Sequence, residues 1–460
     1  MKFHRTLIVW CWIGLVGSVV PVRGQSDDVE RLKAENAELK SEVSKMRSDM
    51  DEMRKTLAQM QATLATLKPA PAAAAPAAPA VPAPAAQAAA APAPKAEKPA
   101  VRSKYAVDLY GYAKLDAAWD SSRTNPGNYA RWAESEATNP DDSEANITAN
   151  ETRVGLDFTG PEGKGMKTTG KLEVDFYGGG TENKPVPMMR HAYFQVEWPK
   201  HDFSILAGQT WDVIAPLLPT MINYSPAWWA GNIGYRHPQL RMTKGFKLAE
   251  GTKILFQGAM VRTIGDATSL SPGDTGEDSA LPTFQGRAAL QFPGPGKQSV
   301  VIGVSGHYGR DELDITNTGV NVRIPTWSAN VDLTIPLHKK IAFKGEFFRG
   351  ANLDTYLGGI GQGVNLTTLR QVATTGGWAS LSFGPFQKWR FNIGGAIDDP
   401  NDFDLNNNDR TLNEVYFGNA LFNLNEAVQI GFELSNWHTN YKRKASGDAL
   451  RFQTSFIYRF

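Results

Sequence analysis

The segment ALRFQTSFIYRF, residues 449–460, decides how the rest of the chain is read. Phe452, Phe456, Tyr458 and Phe460 share one face of an extended strand, opposite Arg451, Gln453, Ser455 and Arg459. Successive side chains of a strand point to opposite faces, so this is a strand with one apolar and one wet side. The pattern recurs upstream. In 427–440, Val428, Ile430, Phe432 and Leu434 alternate with Gln429, Glu433 and Ser435. In 168–178, Leu172, Val174 and Phe176 alternate with Lys171, Glu173 and Asp175. In 388–398, Trp389, Phe391 and Ile393 oppose Arg390, Asn392 and Asp398.

Extending this reading gives sixteen strands: 105–119, 152–160, 168–178, 189–198, 203–210, 236–249, 252–264, 282–293, 298–310, 321–336, 339–351, 374–384, 388–398, 410–422, 427–440 and 449–460. Gaps after even strands are short, such as PKHD, EG, PGPG and GPF. Gaps after odd strands are mostly long: 120–151, 211–235, 265–281, 352–373 and 399–409. Short turns on one rim and long loops on the other are the asymmetry of an outer-membrane barrel. The expected fold class is therefore an all-β transmembrane barrel of sixteen antiparallel strands over 104–460, with lipid on the apolar face and a polar lumen. A final strand that ends on an aromatic residue fits the assembly signal of such barrels. Trp119, Trp198, Trp211, Trp327, Trp378, Trp389 and Trp437 fall near strand ends, where aromatic girdles are expected. An even strand number places both ends of the barrel on the short-turn, periplasmic rim.

The 460 residues carry 48 basic and 47 acidic side chains, a net +1 that argues against nucleic acid as a partner. Lys2 and Arg5 precede an apolar run from Leu7 to Val20, followed by Val22-Arg23-Gly24. This is a secretory signal, with cleavage expected after Gly24. The only cysteine, Cys11, would leave with it, so neither disulfides nor thiolate metal sites are expected. No segment beyond it has the long apolar run of a membrane helix.

Residues 27–67 read as an α-helical coiled coil. Val29, Asn36, Val43, Met50, Leu57 and Leu64 occupy a positions; Leu32, Leu39, Met46, Met53, Met60 and Leu67 occupy d positions. Asp28, Glu35, Glu42 and Asp49 at g face Lys33, Lys40, Arg47 and Arg54 at e of a parallel partner strand, each pair attractive. Asn36 leans towards a dimer, while the Met-rich second half specifies little. Residues 69–103 are an Ala/Pro-rich linker, extended and semi-rigid, reaching up to ~100 Å at about 3.1 Å per residue.

Five segments carry a family resemblance: Tyr110-Gly111-Tyr112 with Lys114 and Asp116; Thr152-Arg153-Val154-Gly155-Leu156; Arg190-His191-Ala192-Tyr193-Phe194; Gly208-Gln209-Thr210-Trp211; and Arg236-His237-Pro238-Gln239-Leu240-Arg241. With the coiled coil and linker they resemble the DcaP-like family of trimeric outer-membrane porins. The resemblance implies a homotrimer, a periplasmic coiled coil, and passive diffusion of small, often anionic solutes such as dicarboxylates.

Loop 211–235, WDVIAPLLPTMINYSPAWWAGNIGY, is too apolar for an exposed loop. It is expected either to fold into the lumen and narrow it, or to pack at a subunit interface. Trp211, Asp212 and Tyr224 are its candidate pore-facing residues. Arg153, Lys171, Arg241, Arg287 and Arg390 fall on inward faces by alternation; the resemblance adds Arg190 and Arg236. Arginine rings attract anions, and Arg can hold a carboxylate through two parallel bonds. Asp157, Glu173, Asp175 and Glu346 oppose them, and 104–460 carries 34 basic and 37 acidic residues, so anion preference requires local segregation of charge. Asp402, Asp404, Asn406 and Asn408 superficially resemble a calcium loop but lack its glycine and closing glutamate, and are read as solvated. The scattered histidines show no metal spacing and no nucleophile motif appears, so neither cofactor nor enzymatic activity is expected. The competing reading is an envelope tether, with the barrel as anchor and the coiled coil and linker binding cell wall or a periplasmic partner. Deleting residues 27–100 separates the two: channel conductance survives if the barrel is the working part, and attachment of the envelope is lost if the tether is.

Overall fold

The computed structural model describes residues 105–460 apart from 141, 180–183, 266–267, 272–274 and 316–317. The expected signal, coiled coil and linker lie outside the described residues. Sixteen antiparallel strands form a closed barrel. They are β1 Ala106–Asp120, β2 Arg153–Thr159, β3 Lys167–Asp175, β4 Met188–Trp198, β5 Phe203–Trp211, β6 Arg236–Ala249, β7 Thr252–Val261 and β8 Thr283–Pro293. The second half continues with β9 Ser299–Ile315, β10 Val320–His338, β11 Ile341–Ala351, β12 Ala373–Phe386, β13 Trp389–Pro400, β14 Arg410–Asn423, β15 Val428–Tyr441 and β16 Lys444–Arg459. Each strand pairs with its sequence neighbours, and β1 closes the sheet on β16 from Tyr112–Arg459 to Asp120–Arg451. Closure leaves no unpaired edge, which a sheet in lipid requires.

The expected strands are all present, with their ends moved by a few residues. The second position differs most. A separate segment, Glu144–Thr148, pairs with the upper part of β1 before β2 pairs with its lower part. Residues 149–152 interrupt the two with a turn from Thr152 N–H to Ala149 C=O. Turns on the rim that holds the start of β1 are short, down to Glu250-Gly251 and Lys339-Lys340. The other rim carries the loops 121–143, 176–187, 212–235, 262–282, 352–372 and 401–409.

Leu109, Phe194, Met242, Phe284, Tyr308, Phe347, Phe432 and Phe456 stand exposed on the outside, while Asp116, Glu173, Gln285, Asp332, Glu433 and Gln453 are buried inside. Apolar outside and polar inside is the arrangement a bilayer selects. The interior is not uniformly polar, however. Trp378 and Trp437, expected in the girdles, point inward. They pack with Ala130, Ala133, Ala227, Ala230, Val415 and Ala449 into an apolar core inside the barrel. Loops 121–143 and 212–235 fold in and bring apolar side chains that need covering, and these two indoles cover them. Trp211 is likewise interior, whereas Trp119 remains exposed.

Gly231 marks how closely the third long loop approaches the wall. Its φ is +114°, and a Cβ there would press into Gly377 C=O and Ile397 C=O. Gly231→Ala should strain this contact by roughly 1–3 kcal/mol. The expected outcome is a barrel that still folds but unfolds at lower temperature in detergent, with larger single-channel conductance as the loop loosens.

Candidate functional site

A loop carried into a barrel takes its backbone donors and acceptors away from bulk water, and each needs a partner. Loop 212–235 obtains them from polar side chains on successive inner-wall strands. Val213 N–H donates to Gln285 Oε1 on β8 (3.0 Å), and Ala215 N–H to Ser305 Oγ on β9 (3.3 Å). Leu217 N–H donates to Glu346 Oε1 on β11 (2.7 Å). Asn419 Nδ2 on β14 donates to Thr220 C=O (2.7 Å). Ile222 N–H donates to Glu433 Oε2 on β15 (2.8 Å), and its C=O accepts from Gln453 Nε2 on β16 (3.1 Å) and Lys114 Nζ on β1 (2.8 Å). The loop thus follows the wall from β8 round to β1 inside the lumen, where it narrows the barrel. The opposite wall, β2 to β6, takes part through the Tyr224 side chain, whose hydroxyl donates to Asp175 Oδ2 (3.3 Å). Burial raises the Tyr224 pKa above the ordinary phenol range and keeps the hydroxyl a donor.

Aromatic rings pack at this narrowing. Tyr224 lies 3.9 Å from Tyr177 and 5.1 Å from Tyr129 between ring centroids. Trp228 lies 6.1 Å from Tyr224 and 6.0 Å from Trp211. Trp211 stands next to two guanidinium groups, Arg236 at 4.8 Å and Arg190 at 5.9 Å from its ring centroid.

The candidate cations separate into distinct electrostatic states. Arg190 is buried and paired with Glu173 (2.7 Å) and Asp175 (2.6 Å). It can face these acids because the β3–β4 register shifts beside Glu173 and Val174, turning both Arg190 and His191 inward. Arg153 shares Glu173 at 3.5 Å, Lys171 holds Asp157 at 2.6 Å, and Arg287 holds Asp332 at 2.6 Å. Arg241 meets Gln239 Oε1 (2.9 Å) and the Trp211 C=O but no carboxylate among the described residues. Arg390 is exposed near the short-turn end of β13, away from the narrowing. Arg236 is 1% exposed, and none of its three side-chain nitrogens has a hydrogen-bond partner among the described residues. Its guanidinium is held between the rings of Trp211 and Tyr235, both at 4.8 Å. Cation–π contact of a desolvated guanidinium is worth about 2 kcal/mol.

Asp212 is placed differently from the pore-facing position expected of it. It is buried at the root of the loop, accepting from His237 Nδ1 (2.9 Å), Gln285 Nε2 (3.0 Å) and Tyr235 N–H (2.9 Å). Its short side chain next to the strand end reaches the loop's own backbone first. Asp404 and Asp409 likewise serve backbone, Asp404 accepting from Ala373 N–H at the start of β12 (3.1 Å) and Asp409 from the nearby Asn406 N–H (2.7 Å). Residues not singled out from the sequence also form the narrowing: Tyr129, Tyr177, Trp228, and the acceptor Glu433. Trp228 lay within the apolar loop already noticed, whereas Tyr129 and Tyr177 come from loops whose inward fold no local pattern marks.

A closed sixteen-stranded barrel with an inward third loop and a polar lumen has the architecture of outer-membrane porins. The model of the DcaP outer membrane protein family matches residues 85–241, which include all five segments that carried the resemblance. The crystal structure of the outer membrane channel DcaP of Acinetobacter baumannii superposes with a TM-score of 0.63 at 19% identity, covering 78% of this chain and 98% of that one. An anion-selective porin from Comamonas acidovorans has a TM-score of 0.49 at 13% identity, covering 77% and 100%. No curated protein matches the chain by sequence. The chain is thus similar to DcaP-like porins in sequence over its first strands and in fold over its barrel.

Glu433 is the anchor whose loss is most readable. Its carboxylate accepts from Ile222 N–H, Asn223 N–H and Asn419 Nδ2. Glu433→Gln turns an amide donor toward those donors, at a cost of roughly 1–3 kcal/mol for a buried group left unmatched. The loop should detach locally, raising conductance and lowering the voltage at which the channel closes in planar bilayers.

Proposed function

We propose that this protein is a passive diffusion channel of the outer membrane for small hydrophilic anions with dicarboxylate-like chemistry. The observation that carries this reading is the uncompensated Arg236 guanidinium at the narrowing, flanked by Trp211 and close to Arg190. The barrel segment has more acids than bases, but the acids near this wall are consumed by Arg153, Lys171 and Arg190 or by loop anchoring. The local surplus is positive where the lumen is narrowest, and that is where selectivity is set. A carboxylate passing this wall exchanges part of its hydration for fixed donors, without a conformational cycle. Arg153 and Arg241, both partly exposed, are the residues proposed to hold it, with the buried Arg190 and Arg236 acting through their field and Trp211 and Tyr224 limiting its width.

The family resemblance supports a homotrimer of such barrels, with the 27–67 coiled coil in the periplasm. The heptads and the long linker also support a tethering role for that segment towards cell wall or a periplasmic partner, compatible with transport through the barrel.

The test is the reversal potential in a potassium chloride gradient across planar bilayers. An anion-side potential, and block by added succinate, support the reading; absence of conductance from correctly folded protein overturns the channel, and cation preference overturns the arginine mechanism. A unit charge about 4 Å from an ion contributes about 1 kcal/mol in water-like surroundings and more where water is excluded. Arg236→Gln should therefore lower the anion-over-cation permeability ratio by roughly fivefold.

A further inference from the structure

A second pair of guanidinium groups lies nearer the long-loop rim, on residues outside the narrowing. Arg131 belongs to a small hairpin, Thr124–Pro126 with Ala130–Ala133, in the first long loop. Arg410 is the first residue of β14. Both lie over the ring of Trp132, Arg131 at 4.5 Å and Arg410 at 4.2 Å from its centroid. Arg131 also lies 4.9 Å from the Trp229 ring. The hairpin is fixed inside the barrel, because Asn413 Nδ2 on the inner wall donates to both Arg131 C=O and Trp229 C=O at 2.7 Å.

Neither cation touches an acid. Among the described residues no carboxylate lies within ion-pair distance of either. Arg131 donates to Asn125 Oδ1, and Arg410 Nε donates to Ile360 C=O (3.0 Å). Arg131 Nη1 and both Nη atoms of Arg410 have no acceptor among the described residues. Glu134 accepts from Asn125 Nδ2 at 2.8 Å and keeps its charge, attracting both guanidinium groups from beyond ion-pair distance. Two like charges gathered on one indole and partly withdrawn from water repel each other and are costly to desolvate. Burial accordingly depresses the pKa of Arg131 below the usual guanidinium range. Both side chains keep partial exposure, so their free donors remain reachable from the mouth. An anion beside the pair would lower the repulsion and give their free donors an acceptor.

We propose that Arg131 and Arg410, gathered on Trp132, form an outer docking site for the carboxylate of a solute entering from the long-loop side, separate from the narrowing. The site rests on the anion-channel reading above and adds a first stage to it. Its rings continue inward: Trp229 lies 6.4 Å from Trp228, and Trp228 lies 6.0 Å from Trp211 beside Arg236. Trp228 and Arg236 are themselves buried, so these packed rings connect the outer pair to Arg236 through the loop rather than along its surface.

The experiment uses the full-length protein in planar bilayers, inserted with known sidedness, with succinate as probe. Removing one or both outer charges should reduce electrostatic steering from that side, where such effects on association span 10–10³. Arg131→Gln with Arg410→Gln is expected to lower the on-rate of succinate block from the long-loop side by roughly tenfold. Block from the periplasmic side and conductance at high salt should stay near the unsubstituted protein, which also shows that the variant folds. Arg236→Gln should weaken block from both sides. Tryptophan fluorescence of the same proteins in detergent, titrated with succinate, reads the outer site without current. If the unsubstituted protein carries no current but its fluorescence response disappears in the double variant, the channel reading fails and the docking site stands. If current is present and the double variant matches the unsubstituted protein in on-rate and fluorescence response, the docking site is overturned and the channel reading survives.

Discussion

Backbone polar groups cannot be buried alone, and this constraint organises the interior of the barrel. Loop 212–235 brings its N–H and C=O groups into the lumen, and inner-wall side chains receive them strand by strand. Gln285, Ser305, Glu346, Asn419, Glu433 and Gln453 meet the loop in the order in which it passes them. The polar faces of those strands therefore serve two purposes. They belong to a wet lumen by pattern, yet over half the circumference they act as a docking rail. Once the loop's backbone is satisfied, its apolar side chains can form a core with Trp378 and Trp437, which a water-filled lumen would not accommodate.

The same placement decides the electrostatics. Glu346 and Glu433 are committed to the loop, and Glu173, Asp175, Asp157 and Asp332 are committed to arginine and lysine partners. Among the described residues, the inward cations outside ion-pair distance of an acid include Arg236 and Arg241 near the narrowing and Arg131 and Arg410 further out. Their guanidinium groups lie against indole or phenol rings in three of the four cases, which partly offsets desolvation; N–H edges stay available on Arg131 and Arg410, while those of Arg236 are buried. A barrel segment with an acidic net charge can thus present a positive path, because local pairing rather than the total sets the field that an ion meets.

Much of the fold was legible in the sequence because a barrel strand has period two and is divided by turns. Lys171 and Leu172, or Glu433 and Leu434, can be assigned to opposite faces from that period alone. The five motifs between Tyr110 and Arg241 carried the family resemblance in the same way. Less was legible at the narrowing. Alternation cannot see the register shift that turns Arg190 inward beside His191, so both it and Arg236 rested on resemblance. Nor could it distinguish Asp212, which binds its own loop's root, from a pore-facing acid.

The sequence by itself determined the strand number, the alternation of rims and the apolar outer face, since these depend on neighbours a few residues apart. It also marked loop 211–235 as unsuited to an exposed position. Only the tertiary structure decided which tryptophans are interior, which arginines are ion-paired, and that Arg131 and Arg410, far apart in sequence, share the ring of Trp132. Those outcomes depend on contacts between strands and loops distant in sequence, where burial and charge pairing are settled by position in space rather than by local pattern.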